Sequence, residues 1–314
     1  MIRPPALRRG DVVRVVAPAS PFDPEPFERG LSVLRDRLGL VPRMRDDVGA
    51  RSGYLAGDDG RRLAEWLEAA SDPEARAVWC ARGGYGVTRL LPRLEAARLL
   101  HPPRVVVGFS DITALHVALN RAGLVTVHGP VVTQLGSLAP AAIDHLEALL
   151  FGGAAAGDAG GAPAPGSGVP AAAVIRPGRI TGPLAGGNLQ LMAHLAGTPF
   201  QPRLAGAVLF LEDVGERPYR LDRAFTQLRL SGALDGVAGV CLGAFTDCDE
   251  PGIGGAETMR RLVGDLGIPA VEGIPAGHLP DNRALPLGSV VTLRAPERDG
   301  EGPPRLAFDQ GAVA

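Results

Sequence analysis

Residues 104–116 read RVVVGFSDITALH. The β-branched run Arg104–Val107 has the composition of a buried strand, and Gly108 closes it. The chain then turns through Phe109 and Ser110, and a helix begins near Asp111 with Ile112–Arg121 at helical spacing. A strand that turns into a helix places Ser110 at the carboxyl edge of a sheet. There the first N–H groups of the helix point toward any oxyanion formed beside the hydroxyl. The nucleophile-elbow pattern G-x-S-x-G is not met, because residue 112 is Ile. A helix cap is the competing reading of Ser110.

The same alternation extends in both directions. Val12–Ala17, Ala77–Ala81 and Val125–His128 read as strands. Glu25–Leu38, Arg61–Ala70, Val87–Leu100 and Ala141–Leu150 read as helices. Strands alternating with helices of this length predict an α/β fold with a mostly parallel sheet, whose ligand site lies at the carboxyl ends of the strands. Residues 152–170, GGAAAGDAGGAPAPGSGVP, lack apolar periodicity and read as a linker or long surface loop. Domains over 1–151 and 172–314, joined by a 152–171 linker, are expected. In the second, Ala172–Ile175, Gly178–Thr181, Val208–Leu211, Val237–Leu242 and Val290–Leu293 read as strands. Asn188–Leu195, Leu221–Leu230 and Thr258–Leu266 read as helices.

The 314 residues carry 32 basic and 34 acidic side chains, a net charge of −2, so neither nucleic acid nor an anionic membrane is an expected partner. No lysine occurs anywhere in the chain. A Walker A loop, a Schiff-base enzyme, a protein kinase and a Ser-x-x-Lys acyl-enzyme all need that amine and are excluded. Cys80, Cys241 and Cys248 form no C-x-x-C pair, which suits a reducing compartment. The N-terminus has no apolar run of signal length, and no stretch approaches a spanning helix. A soluble cytoplasmic protein is expected. No H-E-x-x-H motif or Cys/His cluster points to a metal, and no cofactor is expected.

Three further segments carry reactive residues. In WCARGGYGVTRLL (79–91), glycines expose N–H groups at the same sheet edge as Ser110, where they suit an oxyanion or a substrate carboxylate. The spacing fails as a dinucleotide fingerprint. In VLFLEDVGERPYRLDR (208–223), Glu212 and Asp213 end a run of buried-strand type, where a carboxylate is costly unless paired or used. Glu212 can orient a histidine; two solvated strand-end acids are the alternative. Arg217, Arg220 and Arg223 suit a carboxylate-bearing ligand or ordinary ion pairs. In GIPAGHLPDNRALPLG (273–288), His278 lies in a loop rich in Gly and Pro. His128, which ends the strand after the Ser110 helix, is the other candidate base.

Taken together, ARGGYG (81–86), GFSDITALH (108–116), GPLAGGNLQL (182–191), LEDVGERPYRLDR (211–223) and GHLPDNRALPLG (277–288) resemble the LD-carboxypeptidase family of serine peptidases. That family includes muramoyltetrapeptide carboxypeptidases and microcin-immunity hydrolases. The resemblance implies a flavodoxin-like or class I amidotransferase-like N-terminal parallel sheet and a smaller, β-rich C-terminal domain. It implies a triad of Ser110 as nucleophile, His278 as base and Glu212 as its orienting acid, in an interdomain cleft. Backbone N–H groups of Asp111 and of Gly84 or Gly83 would hold the oxyanion. The implied substrate is a murein peptide, cut between an L-centre of diaminopimelate and terminal D-alanine. Arg82, Tyr85, Arg217 and Arg220 are the candidates to bind it. The implied assembly is a homodimer. With aromatic residues at 4%, a nucleobase-stacking loop is not evident, and the murein peptide is preferred to a microcin. A non-catalytic peptide binder and an esterase using His128 are the remaining alternatives.

Overall fold

Short apolar runs of the N-terminal half become parallel strands: β1 (Val12–Val16), β2 (Val41–Arg43), β3 (Ala75–Cys80), β4 (Val105–Gly108) and β5 (Thr126–His128). The computed structural model describes residues 1–152, 167–298 and 301–314. Every residue of β4 is buried, as in a parallel sheet covered on both faces. Helices α1 (Pro24–Ser32), α2 (Asp59–Ser71), α3 (Thr113–Ala122), α4 (Val132–Leu135) and α5 (Pro140–Leu150) accompany these strands. Their starts follow local chemistry. Asp58 caps α2 by accepting the Arg61 N–H at 2.7 Å, and proline opens α1 and α5.

One helix expected in this half does not form. Val87–Leu100 breaks into 3-10 turns at Val87–Arg89, Leu91–Arg93 and Ala96–Leu99. Pro92 supplies no N–H and crowds the preceding turn, and Glu95 takes a left-handed φ of 47°.

The second half forms a mixed sheet. Its strands are β6 (Gly168–Pro170), β7 (Ala173–Arg176), β8 (Gly178–Asn188), β9 (Val208–Val214), β10 (Gly239–Thr246), β11 (Ala270–Glu272), β13 (Val290–Ala295) and β14 (Arg305–Phe308). Helices α6 (Leu189–Leu195), α7 (Pro218–Leu230) and α8 (Gly255–Gly264) lie between β8, β9, β10 and β11, which pair in parallel. Sheet order is β6-β14-β13-β8-β9-β10-β11-β7, with antiparallel pairing at both flanks.

The remaining strand, β12 (Leu285–Leu287), belongs to the other sheet, whose order is β12-β5-β4-β3-β1-β2. Its parallel strands thus follow the flavodoxin-like order 2-1-3-4-5. The chain divides into two compact units. The first joins Ala284–Pro286 and Gly311–Ala314 to the N-terminal residues, and the second holds the rest of the C-terminal half. Ala314 closes onto the N-terminus, donating to the Pro4 carbonyl at 2.9 Å and accepting from the Ala6 N–H at 3.3 Å.

The expected linker needs two corrections. Gly168–Pro170 is a strand paired with β14, and the domain expected over 172–314 gives Ala284–Pro286 and Gly311–Ala314 to the first unit. The rest of the linker, residues 153–166, lies outside the described residues.

Candidate active site

Ser110 sits where β4 gives way to α3. Phe109 is fully extended, and Ser110 takes φ +65°, a left-handed conformation that costs a side-chain-bearing residue about 1–3 kcal/mol. The turn from Ser110 to Ile112 then leads into α3. Gly108 makes the elbow possible despite Ile112, because a Cβ at Gly108 would lie 2.8 Å from the Ile112 side chain.

The glycine turn after β3 lies against this serine. A Cβ on Gly83 would lie 2.8 Å from Ser110 Cβ and 3.1 Å from its Oγ. Among the described residues the N–H groups of Gly83 and Gly84 donate no hydrogen bond. Unpaired backbone donors beside a strained hydroxyl are the equipment of an oxyanion site. The Asp111 N–H, in the first turn of the helical segment, is a third donor of this kind.

The Asp111 side chain is fully buried, and its Oδ2 accepts the Val87 N–H at 2.9 Å. Burial pushes its carboxyl up to about 6. Tyr85, on the same turn, is exposed and packs against Tyr54 with ring centroids 5.7 Å apart.

Two histidines near the elbow are enclosed. His116 Nε2–H donates to the Gly108 carbonyl at 2.8 Å, and burial holds its pKa down at about 4, so the ring is neutral and fixes the strand end. His128 is fully buried, its ring edge-on to Phe109 with centroids 5.7 Å apart.

In the second unit, Glu212 near the end of β9 and His278 in the loop after β11 meet. Glu212 is fully buried, and its Oε2 accepts from His278 Nδ1 at 2.8 Å. Nδ1–H donation to a carboxylate leaves Nε2 as the ring's acceptor. The His278 side chain is 21% exposed, so the imidazole is open to a ligand on a side where Glu212 is not. The loop is tied down around it. Thr246 Oγ1 donates to the His278 carbonyl at 2.7 Å, and the Gly277 N–H donates to the buried Asn282 Oδ1 at 2.9 Å.

Asp213, one residue on, does different work. Its carboxylate accepts from Asn188 Nδ2 at 2.9 Å, the Val214 N–H at 2.9 Å and the Gln190 N–H at 3.1 Å. It thereby joins the start of α6 to β9. Burial, then the Glu212 charge, raises its pKa to about 6.

The candidate arginines are engaged. Arg82 Nη1 donates to the Pro21 carbonyl at 2.6 Å, Arg217 pairs with Glu250 at 3.4 Å and Arg220 with Glu216 at 3.5 Å. Arg220 and Arg223 also lie over the Tyr219 ring, at 6.0 and 5.3 Å. Two residues passed over in the sequence, Ser20 and Arg62, bond the glycine turn. Ser20 could have been found as the first hydroxyl after β1, whereas Arg62 reads as one of many helix-surface cations. Among the described residues no group of His, Cys, Asp or Glu is arranged to hold a metal ion, and no helix is long and apolar enough to cross a membrane.

The chain was compared with known proteins. The family model of the LD-carboxypeptidase N-terminal domain matches residues 13–129, and that of the LD-carboxypeptidase C-terminal domain matches 181–293. A Streptomyces coelicolor protein provisionally named a carboxypeptidase is 42% identical, covering 94% of each chain. The murein tetrapeptide carboxypeptidase of Pseudomonas aeruginosa is 37% identical, over 90% of this chain and 92% of its own. The crystal structure of muramoyltetrapeptide carboxypeptidase from Oxalobacter formigenes superposes with a TM-score of 0.81 at 30% identity, covering 96% of this chain and 99% of that one. Two domain models in sequence order, together with relatives similar along almost their full length, establish that the chain belongs to the LD-carboxypeptidase family.

Proposed function

We propose that the protein is a serine-type LD-carboxypeptidase that releases the terminal D-alanine of a murein tetrapeptide in cytoplasmic murein recycling. The observation that carries this reading is the Glu212–His278 pair, a buried carboxylate whose hydrogen bond orients an accessible imidazole. Ser110, held at a strained elbow beside free glycine N–H groups, is the group such a pair would serve. The names of the Pseudomonas and Oxalobacter relatives supply the substrate class.

The chemistry follows from where charge develops. His278 Nε2 takes the Ser110 proton as Oγ attacks the carbonyl of the L,D-amide, and Glu212 stabilises the imidazolium. The N–H groups of Asp111 and of Gly83 or Gly84 receive the oxyanion; loss of one such donor typically costs about 100- to 1000-fold in rate. The imidazolium then protonates the leaving amine of D-alanine. Water, deprotonated by the same ring, hydrolyses the acyl-serine ester and releases the tripeptide. A terminal carboxylate on the substrate suits Arg82, Arg217 or Arg220, and Tyr85 would line its path.

Mass spectrometry of a murein tetrapeptide incubated with the protein tests the reading. Loss of one D-alanine is expected, and none with a folded Ser110→Ala variant. Full release by that variant overturns the assignment.

A further inference from the structure

The glycine turn beside Ser110 is held by side chains that come from three other parts of the first unit. Ser20, beyond β1, grips its first half: the Ser20 N–H donates to the Gly83 carbonyl at 3.2 Å and its Oγ accepts the Tyr85 N–H at 3.1 Å. Arg62 of α2, fully buried, grips its second half. Its Nη1 donates to the Gly86 carbonyl at 2.8 Å and to the Pro18 carbonyl at 2.6 Å, while Nη2 pairs with Asp59. Asp111, directly after the candidate nucleophile, accepts the next N–H, that of Val87, at 2.9 Å. Its other oxygen, Oδ1, is buried without a hydrogen-bond partner among the described residues.

A buried guanidinium and a buried carboxylate are poor ways to stabilise a core, since apolar side chains of similar volume commonly do as well or better. Both of these instead bond the backbone of one short turn, Gly86 on the carbonyl side and Val87 on the amide side. That turn has glycine at 83, 84 and 86, and left alone it would sample many conformations. Its value at the site depends on holding N–H donors to a fraction of an ångström.

We infer that Ser20, Arg62 and Asp111 are positioning residues for the carboxypeptidase reaction, clamping the glycine turn so that its free N–H groups stay aimed at the oxyanion formed on Ser110. The inference rests on the proposed function. None of the three side chains is assigned contact with the substrate, so their removal should depress kcat and spare KM.

The test uses Ser20→Ala, Asp111→Ala and Asp111→Asn in the full-length protein. Intact sites are counted by titrating Ser110 with a fluorophosphonate, and kcat for D-alanine release is expressed per titrated site. Asp111→Ala should lose about 100-fold in kcat and Ser20→Ala about 10-fold, with KM within about threefold. Asp111→Asn, whose amide oxygen can still accept from Val87, should recover at least about tenfold over Asp111→Ala. Ser20→Ala removes one exposed-side acceptor and keeps the inference testable if Asp111→Ala does not fold. Unchanged kcat per site in Ser20→Ala or Asp111→Ala overturns the inference, as does an Asp111→Asn variant no better than Asp111→Ala. A wild-type protein that releases no D-alanine sinks the proposed function instead, so the two failures are distinct.

Discussion

A methyl group on Gly277 would lie 2.8 Å from Oε2 of Glu212, the oxygen that receives the His278 Nδ1–H bond. Gly277 also holds φ at +119°, a conformation L side chains rarely adopt. The histidine loop can approach the carboxylate only because residue 277 lacks a side chain. Gly277→Ala should therefore displace the imidazole and lower kcat about 100-fold, the scale of a 1 Å misplacement. Steady-state kinetics beside a thermal melt checks this; unchanged kcat in a folded variant would refute it.

Glu212→Gln should be more damaging than its small change in shape suggests. Replacing the acid of a catalytic triad by its amide costs about 10⁴-fold in kcat through the wrong tautomer. Glu212 Oε1 is buried with no hydrogen-bond partner among the described residues, so the amide has no better orientation available. Tetrapeptide turnover with wild type and variant side by side decides it, and a loss below about tenfold would argue that Glu212 does not orient the base.

Gly83→Ala tests the oxyanion side. The added carbon would press on Ser110 Cβ at 2.8 Å and on the Phe109 carbonyl at 3.2 Å, both parts of the elbow itself. A kcat loss of about 100- to 1000-fold is expected. Slower fluorophosphonate labelling of Ser110 should accompany it, because the phosphonyl oxygen uses the same donors.

His116 gives the protein a pH-dependent stability. Its folded pKa, about 4, lies below the ordinary histidine value of 6.5, so its contribution is intact above pH 6.5 and is lost as pH falls toward 4. The full window corresponds to about 3 kcal/mol. Asp111 acts in the opposite sense: its raised pKa, about 6, makes the buried charge a burden above pH 6 that protonation relieves. Urea titrations at pH 7.5 and 4.5 should show wild type losing ground on acidification relative to His116→Gln and gaining ground relative to Asp111→Asn. The reverse trend in either pair would contradict the assignment.

The elbow at Ser110 was legible because a local pattern makes it: an apolar strand, a glycine and a helical period within thirteen residues of chain. Glu212 and His278 were legible as chemistry out of place, an acid closing a buried run and a histidine between glycine and proline. Their pairing came from resemblance alone, since no local signal links β9 to a loop 66 residues on. Arg62 was illegible for a related reason. A cation within a helical pattern reads as surface, and only the fold shows the carbonyls of Pro18 and Gly86 arriving beside it. Helical spacing over Val87–Leu100 is real in the sequence, but Pro92 within it denies the backbone a continuous helix, and only 3-10 turns form. β12 left no pattern at all, being three residues with a central proline that pair with a strand far earlier in the chain.

The excursion of Ala284–Pro286 and Gly311–Ala314 into the first unit means that neither half of this protein is encoded by an uninterrupted stretch. A gene truncated before residue 167 would yield a sheet missing its border strand and an N-terminus missing the backbone partners of Pro4 and Ala6. Shuffling the halves among relatives, or grafting the histidine-bearing portion onto another scaffold, would therefore require carrying both returning segments along.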